Sequence, residues 1–253
     1  MKTQQETLIV GKNAVFEALR NNVSLSKIFV QKELQANFFK ELKEYTKKNN
    51  IPVTVLPGAV MQRISSVPHQ GIAAIKSDIE FHGLQSMLDK LTATHPTLLM
   101  LDSITDVRNF GAIARTAWCF GVEAIIISAD NAAPVNEEAI KASAGALLHI
   151  PIVRVSSLVQ CLTTLQERDF QIYASSLTSE VHLNQTQFAE KTCLLLGAED
   201  LGVKPHLLRA SDHTVAIPMT PNFDSLNVSV AAGILLHERY RAMPSTNIIT
   251  NES

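Results

Sequence analysis

The sequence predicts an α/β protein in two parts: a small N-terminal α/β domain, then a larger α/β domain built on a parallel sheet. Three observations carry this. From residue 97 to about residue 241, short and almost wholly apolar strands alternate with helical stretches, the pattern of a parallel sheet covered on both faces. A separate, shorter alternation of strands and helices precedes it. Between the two lies a stretch with polar ends, residues 81–96, with one helix expected over 84–91. The boundaries read as 1–80 for the first domain, 81–96 for the linker region, 97–243 for the second domain and 244–253 for a polar, frayed tail.

Taken in order, residues 8–11 form a strand or turn leading into a helix over 12–21, where Val15, Ala18 and Leu19 share one face. A strand over 27–30, a helix over 36–48, a strand over 52–56, a short helix over 58–65 and the compact strand GIAAI at 71–75 complete the first domain. Gly11 and Gly71 stand where turns favour a residue without Cβ. The second domain is expected to run as strand 98–101, helix 109–120, strand 124–128, helix 137–144, strand 152–155, helix 158–167, strand 171–174, strand 193–196, a short helix at 205–208, strand 215–217 and a final helix to residue 241. That last strand breaks at Pro218. A loop stiffened by Pro218 and Pro221 follows, and Asp224, Ser225 and Asn227 crowd the entrance of a helix expected from Leu226 onward. Its apolar face would be Val228, Ala231, Ala232, Leu235 and Leu236. Taken alone, Ser225 reads as the helix N-cap and Asn227 as an exposed first-turn residue.

Composition narrows the function classes. The chain has 253 residues, 46% hydrophobic and 18% charged, as an ordinary folded protein does. The N-terminal MKTQQETLIV lacks a secretion-type apolar core and no apolar segment approaches a membrane span, so a cytoplasmic protein is expected. Cys119, Cys161 and Cys193 are odd in number, far apart and embedded in apolar sequence, which reads as buried free thiols, with no disulfide and no metal site. His69, His149, His182 and His206 form no cluster and read as surface or satisfied core residues. The net charge of −2 is a poor signature for a nucleic-acid binder. Residues 1–80, however, hold 11 Lys and Arg against 7 Asp and Glu, a net of +4, so the first domain is the better RNA candidate. Within it, Lys40, Lys43, Lys47 and Lys48 share a helix with Glu41 and Glu44, where a solvated helix face is the plainer reading. The helix after Asp102 opens with NFGAIARTA and not with GxGxxG, which disfavours an ordinary dinucleotide fold.

Three stretches in order, DSITDVRNFGAIARTAWCFG (102–121), LLLGAEDLG (194–202) and HTVAIPMTPNFDSLNVSVAAGILLHE (213–238), resemble the three motifs of the SpoU/TrmH family of RNA ribose 2′-O-methyltransferases. The likeness is nearest to the branch that modifies ribosomal RNA. VGKNAVFEALRN and HQGIAAI resemble that family's N-terminal substrate-binding module, so the resemblance covers roughly residues 8–241. It implies a parallel-sheet methyltransferase domain whose C-terminal part is threaded into a trefoil knot, with S-adenosyl-L-methionine held there, an RNA substrate, no membrane, and a homodimer whose final helix packs across the interface, a role the Leu235 and Leu236 face would fit.

Carried over residue by residue, the catalytic set is Asn109, Arg115, Glu199, Ser225 and Asn227, and the cofactor-binding set is Gly197, Ile217 and Leu226. Met219 is a wall of the donor pocket or a plain core methionine. The family's Arg is proposed to activate the 2′-hydroxyl; because guanidinium stays protonated, holding phosphate and stabilising the incipient alkoxide is the preferred role for Arg115. Arg115 lies six residues beyond Asn109 on one helix, so both are expected to contribute from its opening turns. Glu199 is implied to orient the Arg or the substrate. Two departures stand out: Val107 where the family commonly has Pro, and Pro221 where Gly is frequent, both expected in loops. The reading is a methyltransferase acting on a guanosine of 23S ribosomal RNA, with transfer RNA as the alternative substrate and a non-catalytic RNA-binding knot protein as the alternative class.

Overall fold

The computed structural model describes residues 8–34, 36–65, 67–220 and 225–244. It divides into two compact units, residues 1–81 with 134–137, and the remainder.

The N-terminal unit is a mixed four-stranded sheet clothed by helices. Its elements are β1 (Leu8–Val10), α1 (Lys12–Arg20), β2 (Leu25–Gln31), α2 (Ala36–Lys48), β3 (Val53–Leu56), α3 (Gly58–Ile64) and β4 (Ile72–Lys76). The strands run β1-β4-β2-β3; β4 is antiparallel to both β1 and β2, and β3 is parallel to β2. Val15, Phe16 and Leu19 from α1 and Phe38 and Leu42 from α2 close over Ile28 and Val30 of β2 and Ile72 and Ala74 of β4. The helical and strand periods meet in one apolar seam, which is why this short alternation forms a core. Gly11 and Gly71 have φ of +95° and +79°, a left-handed backbone that suits glycine.

The second unit follows with β5 (Phe81–His82), α4 (Leu84–Leu88), β6 (Thr97–Asp102), α5 (Val107–Cys119), β7 (Ala124–Ser128), α6 (Glu137–Ala142), β8 (Ile152–Val155), α7 (Leu158–Gln166), β9 (Gln171–Ser175), β10 (Thr192–Gly197), α8 (Pro205–Ala210), β11 (His213–Val215) and α9 (Val228–Arg241). Single 3-10 turns occupy Ala146–Leu148 and Leu183–Gln185. The sheet order is β11-β9-β10-β6-β7-β8-β5, and the pairs from β11 through β8 are parallel. Strands β6 and β10 are buried at every position, as expected of central strands covered on both faces.

The chain runs outward from β6 through β7 and β8, then crosses back to place β10 against the other side of β6. That makes β6–β10 the point where strand order reverses, and at such a point the connections at the carboxyl ends diverge and leave a crevice. Asp102 and Gly197, the last residues of the two strands, are register partners there.

Several expectations need correction. The strand expected over 215–217 is His213–Val215; Ala216 continues only as an isolated bridge to His182, leaving Ile217 outside the sheet. The last helix starts at Val228, not Leu226, because Asn227, not Ser225, is its N-cap: the Asn227 side chain accepts from the Ser229 amide at 3.0 Å. Val107 is the first residue of α5 and not part of a loop, capped by Asp106, whose carboxylate accepts from the Asn109 amide at 2.8 Å. Proline suits that first helical position too, so the departure leaves the helix start intact. Cys119 is exposed, unlike Cys161 and Cys193, since it falls on the solvent face of α5. Leu235 and Leu236 are each 1% exposed inside the chain and have no face left for a subunit contact. Pro221, Asp224 and residues 245–253 lie outside the described residues.

Candidate functional site

A cleft of about 490 Å³ opens at the carboxyl ends of β9, β10 and β11. Its walls are the segments that follow β9 (Ser175 to Thr178), β10 (Gly197 to Val203) and β11 (Ile217, Met219), together with Ser225, Leu226 and the start of α9. Three loops meet because three adjacent parallel strands end on one edge. The volume lies in the range of small-molecule pockets, and the mixture of apolar walls with backbone amides and a few carboxylates is typical of them.

The segment after β10 is folded back hard on its own strand. The Gly202 amide donates to the Ala198 carbonyl at 2.7 Å, and a Cβ placed on Gly197 would lie 1.9 Å from the Gly202 carbonyl carbon. Only glycine fits there. The turn is pinned from the neighbouring strand by Asp102, a side chain 2% exposed at the end of β6. Its carboxylate accepts from the Lys204 ammonium at 2.8 Å and from the Lys204 amide at 3.1 Å, while the same ammonium donates to the Ser103 hydroxyl at 2.6 Å. Ser103 takes a left-handed φ of +60° to reach it. The arrangement ties the return of the β10 loop to the end of β6.

A polar cluster sits beside the cleft. Glu199, on the β10 loop, accepts at one oxygen from the side-chain amides of Asn109 and Asn227, each at 3.4 Å, and the Asn227 amide also donates to the Asn109 side-chain oxygen at 3.1 Å. Asn227 is held in turn by the Ser229 hydroxyl and amide, at 2.6 and 3.0 Å. Three segments separated by about a hundred residues and by about thirty are thereby joined: the opening of α5, the β10 loop and the cap of α9. Glu199 belongs both to the cluster and to the cleft wall.

Of the residues singled out from sequence, Gly197, Glu199, Ile217, Met219, Ser225 and Leu226 line the cleft, and Asn109 and Asn227 reach it through Glu199. Arg115 does neither. It is exposed, does not line the cleft and makes no hydrogen bond or ion pair with a described residue. Helix geometry explains the separation: six residues turn the helix through about 600°, leaving Arg115 about 120° around α5 from Asn109. It shares the solvent face with Arg108, Trp118 and Cys119. The readings from sequence did not include Asp102, Lys204, Ser229 or the Ser175 to Thr178 wall. Asp102 opened a motif and Ser229 stood in the first turn of α9, but no local pattern announces a lysine two residues past the last glycine of its motif as an ion-pair partner. Asp200, set aside on sequence, also lines the cleft.

These features define an α/β protein with a cleft at the carboxyl ends of β9, β10 and β11 and a polar cluster at its edge. Residues 96–237 match the SpoU rRNA methylase family, and residues 8–81 match the substrate-binding module of RNA 2′-O ribose methyltransferases. The chain belongs to the SpoU rRNA methylase family and is an RNA methyltransferase. A Staphylococcus epidermidis protein assigned to the TrmH family of tRNA/rRNA methyltransferases is 29% identical over 94% of this chain and 96% of its own. An uncharacterised tRNA/rRNA methyltransferase of Synechocystis sp. is 34% identical over 92% of this chain and 62% of its own. Among solved structures, an AdoMet-bound rRNA methyltransferase from Sinorhizobium meliloti superposes with a TM-score of 0.60 at 24% identity, covering 94% of this chain and 88% of that one. A TrmH/SpoU tRNA-modifying enzyme of A. aeolicus gives 0.54 at 30% identity, over 63% and 83%. No helix among the described residues is long and apolar enough to cross a membrane.

Proposed function

We propose that the protein transfers a methyl group from S-adenosyl-L-methionine to a ribose 2′-hydroxyl of ribosomal RNA, on a guanosine of 23S RNA, in the cytoplasm. The observation that carries this is the double membership of Glu199, which lines the cleft and gathers Asn109 and Asn227. The cleft suits the donor in size, in apolar walls from Ile217, Met219 and Leu226, and in the carboxylates of Glu199 and Asp200, which favour a cationic sulfonium. The donor supplies an electrophilic methyl group. Everything else falls to the chain: Gly197 lets backbone approach closely, the asparagines hold the Glu199 carboxylate in one orientation, and Ser225 offers a hydroxyl at the cleft wall. A 2′-hydroxyl is a weak nucleophile, so it must shed its proton as it attacks, in line with the methyl and its leaving sulfur. Arg115 stabilises the forming alkoxide and holds an adjacent phosphate.

This reading includes a homodimer and the family's knotted C-terminal threading. Insertion of β10 between β6 and β9, with its loop turned back on Gly197, supports the threading. Exposed Trp118 on α5, with exposed Leu148 on the 3-10 turn and Val230 on α9, the two elements packed against α5, supports a subunit contact that takes in the face bearing Arg115, so that Arg115 completes the site of the partner copy. The test is incubation of purified protein with labelled donor and separate pools of undermodified ribosomal and transfer RNA, followed by mapping of the product. Methylation of a base, or of transfer RNA alone, would overturn the assignment at its respective level.

A further inference from the structure

We infer that Asp200 is the group by which the cleft tells the methyl donor from the spent product, attracting the charged sulfonium and releasing the neutral thioether. The inference rests on the reading that places S-adenosyl-L-methionine in the cleft. It gives a part in turnover to a residue outside both the catalytic and the cofactor-binding sets carried over from sequence.

The charge of the cleft is one-sided. Among its described lining residues only Glu199 and Asp200 are charged, both are acidic, and no lysine, arginine or histidine joins them. Lys204, a short step along the same loop, is committed elsewhere: its ammonium donates to Asp102 at 2.8 Å and to Ser103 at 2.6 Å. The two carboxylates also differ. Glu199 gathers the side-chain amides of Asn109 and Asn227 at one oxygen, each at 3.4 Å. The Asp200 side chain is exposed and makes no hydrogen bond or ion pair with a described residue. Its backbone is nevertheless held, because the turn closes through the 2.7 Å bond from the Gly202 amide to the Ala198 carbonyl. The carboxylate is therefore anchored at the wall and free to face a ligand.

The chemistry brings the sulfur to this end of the cleft. Reacting atoms approach to about 3–3.5 Å, and Glu199 is what joins the polar cluster to the cleft wall. A sulfonium poised for a hydroxyl at that cluster lies beside Glu199 and its neighbour Asp200. As the hydroxyl oxygen bonds the methyl carbon, the carbon–sulfur bond breaks, its electron pair stays on sulfur, and the hydroxyl proton leaves to water. The ligand thereby loses its one net positive charge while keeping almost all of its shape. Apolar walls grip donor and product alike; only charge separates them. A carboxylate about 6–8 Å from the sulfur in a solvent-exposed cleft changes their relative affinity by about 3- to 10-fold.

The test is calorimetric titration of the full chain with S-adenosylmethionine, S-adenosylhomocysteine and sinefungin, which bears an ammonium where the donor has its sulfonium methyl. Wild type is compared with Asp200→Asn, which keeps the shape and removes the charge. The control is Asp169→Asn, an equal loss of charge at an exposed position beside the amino end of β9, the far end of the sheet from the cleft. Asp200→Asn should lower the preference for donor over product by about 3- to 10-fold, weakening S-adenosylmethionine and sinefungin while leaving S-adenosylhomocysteine nearly unchanged. Asp169→Asn should keep the wild-type preference. Raising salt from about 10 mM to about 1 M shortens the screening length from about 30 Å to about 3 Å and should erase the difference between wild type and Asp200→Asn. Equal weakening of all three ligands by Asp200→Asn, or an unchanged preference, overturns the inference while leaving donor binding by the wild type intact. Should circular dichroism show the variant unfolded, the wild type decides: donor affinity that falls with salt no more than product affinity overturns it as well. A wild type that binds none of the three ligands removes the reading of the cleft itself, and the role of Asp200 with it.

Discussion

Gly197→Ala puts the architecture of the cleft to its sharpest test. The added Cβ would lie 1.9 Å from the carbonyl carbon of Gly202, 2.0 Å from its oxygen and 2.1 Å from the Val203 amide nitrogen. All three are backbone atoms, so no rotamer change relieves the clash. Ordinary contact begins at 3.4 Å, and the returning loop must retreat by about 1.5 Å. Retreat breaks the 2.7 Å bond from Gly202 to Ala198 and strains the 3.1 Å bond from the Lys204 amide to Asp102. Overpacking costs about 1–3 kcal/mol and the lost hydrogen bond about 1 kcal/mol, so urea unfolding should report a destabilisation of roughly 2–4 kcal/mol. Because the same loop is a wall of the cleft, calorimetric titration should show S-adenosylmethionine binding weakened by about 100-fold or more. Gly202→Ala provides the contrast, with open space around its Cβ and a φ of +63° that costs about 1–2 kcal/mol without obstructing the cleft. A Gly197→Ala protein with wild-type stability and donor affinity would refute the account of this loop.

Other outcomes follow from the same geometry. Asn227→Ser should keep α9 capped, with unfolding free energy within about 0.5 kcal/mol of wild type, yet lose methyl transfer in a labelled-donor assay because the contacts to Asn109 and Glu199 are gone. Lys204→Met should cost about 1–3 kcal/mol in urea denaturation by leaving the Asp102 carboxylate without its cation, and adding Asp102→Asn should recover part of that loss, a coupling that a double-mutant cycle would measure. Arg115→Ala should leave stability unchanged within about 0.5 kcal/mol and RNA binding largely intact while abolishing methyl transfer. Burial pushes the Cys161 thiol up to about 12 and the Cys193 thiol well above its usual range, so iodoacetamide at pH 8.5 to 9, roughly the free thiol range, should label Cys119 alone, as peptide mass mapping would show. A thiol whose folded pKa is raised contributes stability that is whole below its unfolded pKa and lost as pH climbs above it, so Cys161 should lower stability between about pH 9 and 12, and Cys193 from about pH 9 upward.

Most elements were legible because each advertises itself locally. GIAAI and LLLG are apolar runs too short for helices, and the helix α2 shows its buried face at 3.6-residue spacing and begins and ends where the sequence places it. Errors concentrated at ends. The last strand, at 213–215, and the start of α9 each lie two residues from where the sequence places them; for α9 the reason is that Ser225 and Asn227 are both competent caps and only tertiary contacts choose between them. The face of Leu235 and Leu236 was misassigned for a related reason: apolar periodicity shows that a face is covered, not whether the cover is the same chain or another.

The candidate site divides in the same way. The residue types of Asn109, Glu199 and Asn227 and their place in ordered motifs could be read from sequence, as could the need for glycine at 197. Their convergence, the pinning of the loop by Asp102 and Lys204, and the exposure of Arg115 on another side of its helix could not. Local propensity and periodicity act over a turn or a strand, and they settle what each segment becomes. Which side chains meet depends on strand order and helix phase across a hundred residues, and that was decided only when β10 closed against β6 and brought distant loop ends to one edge of the sheet.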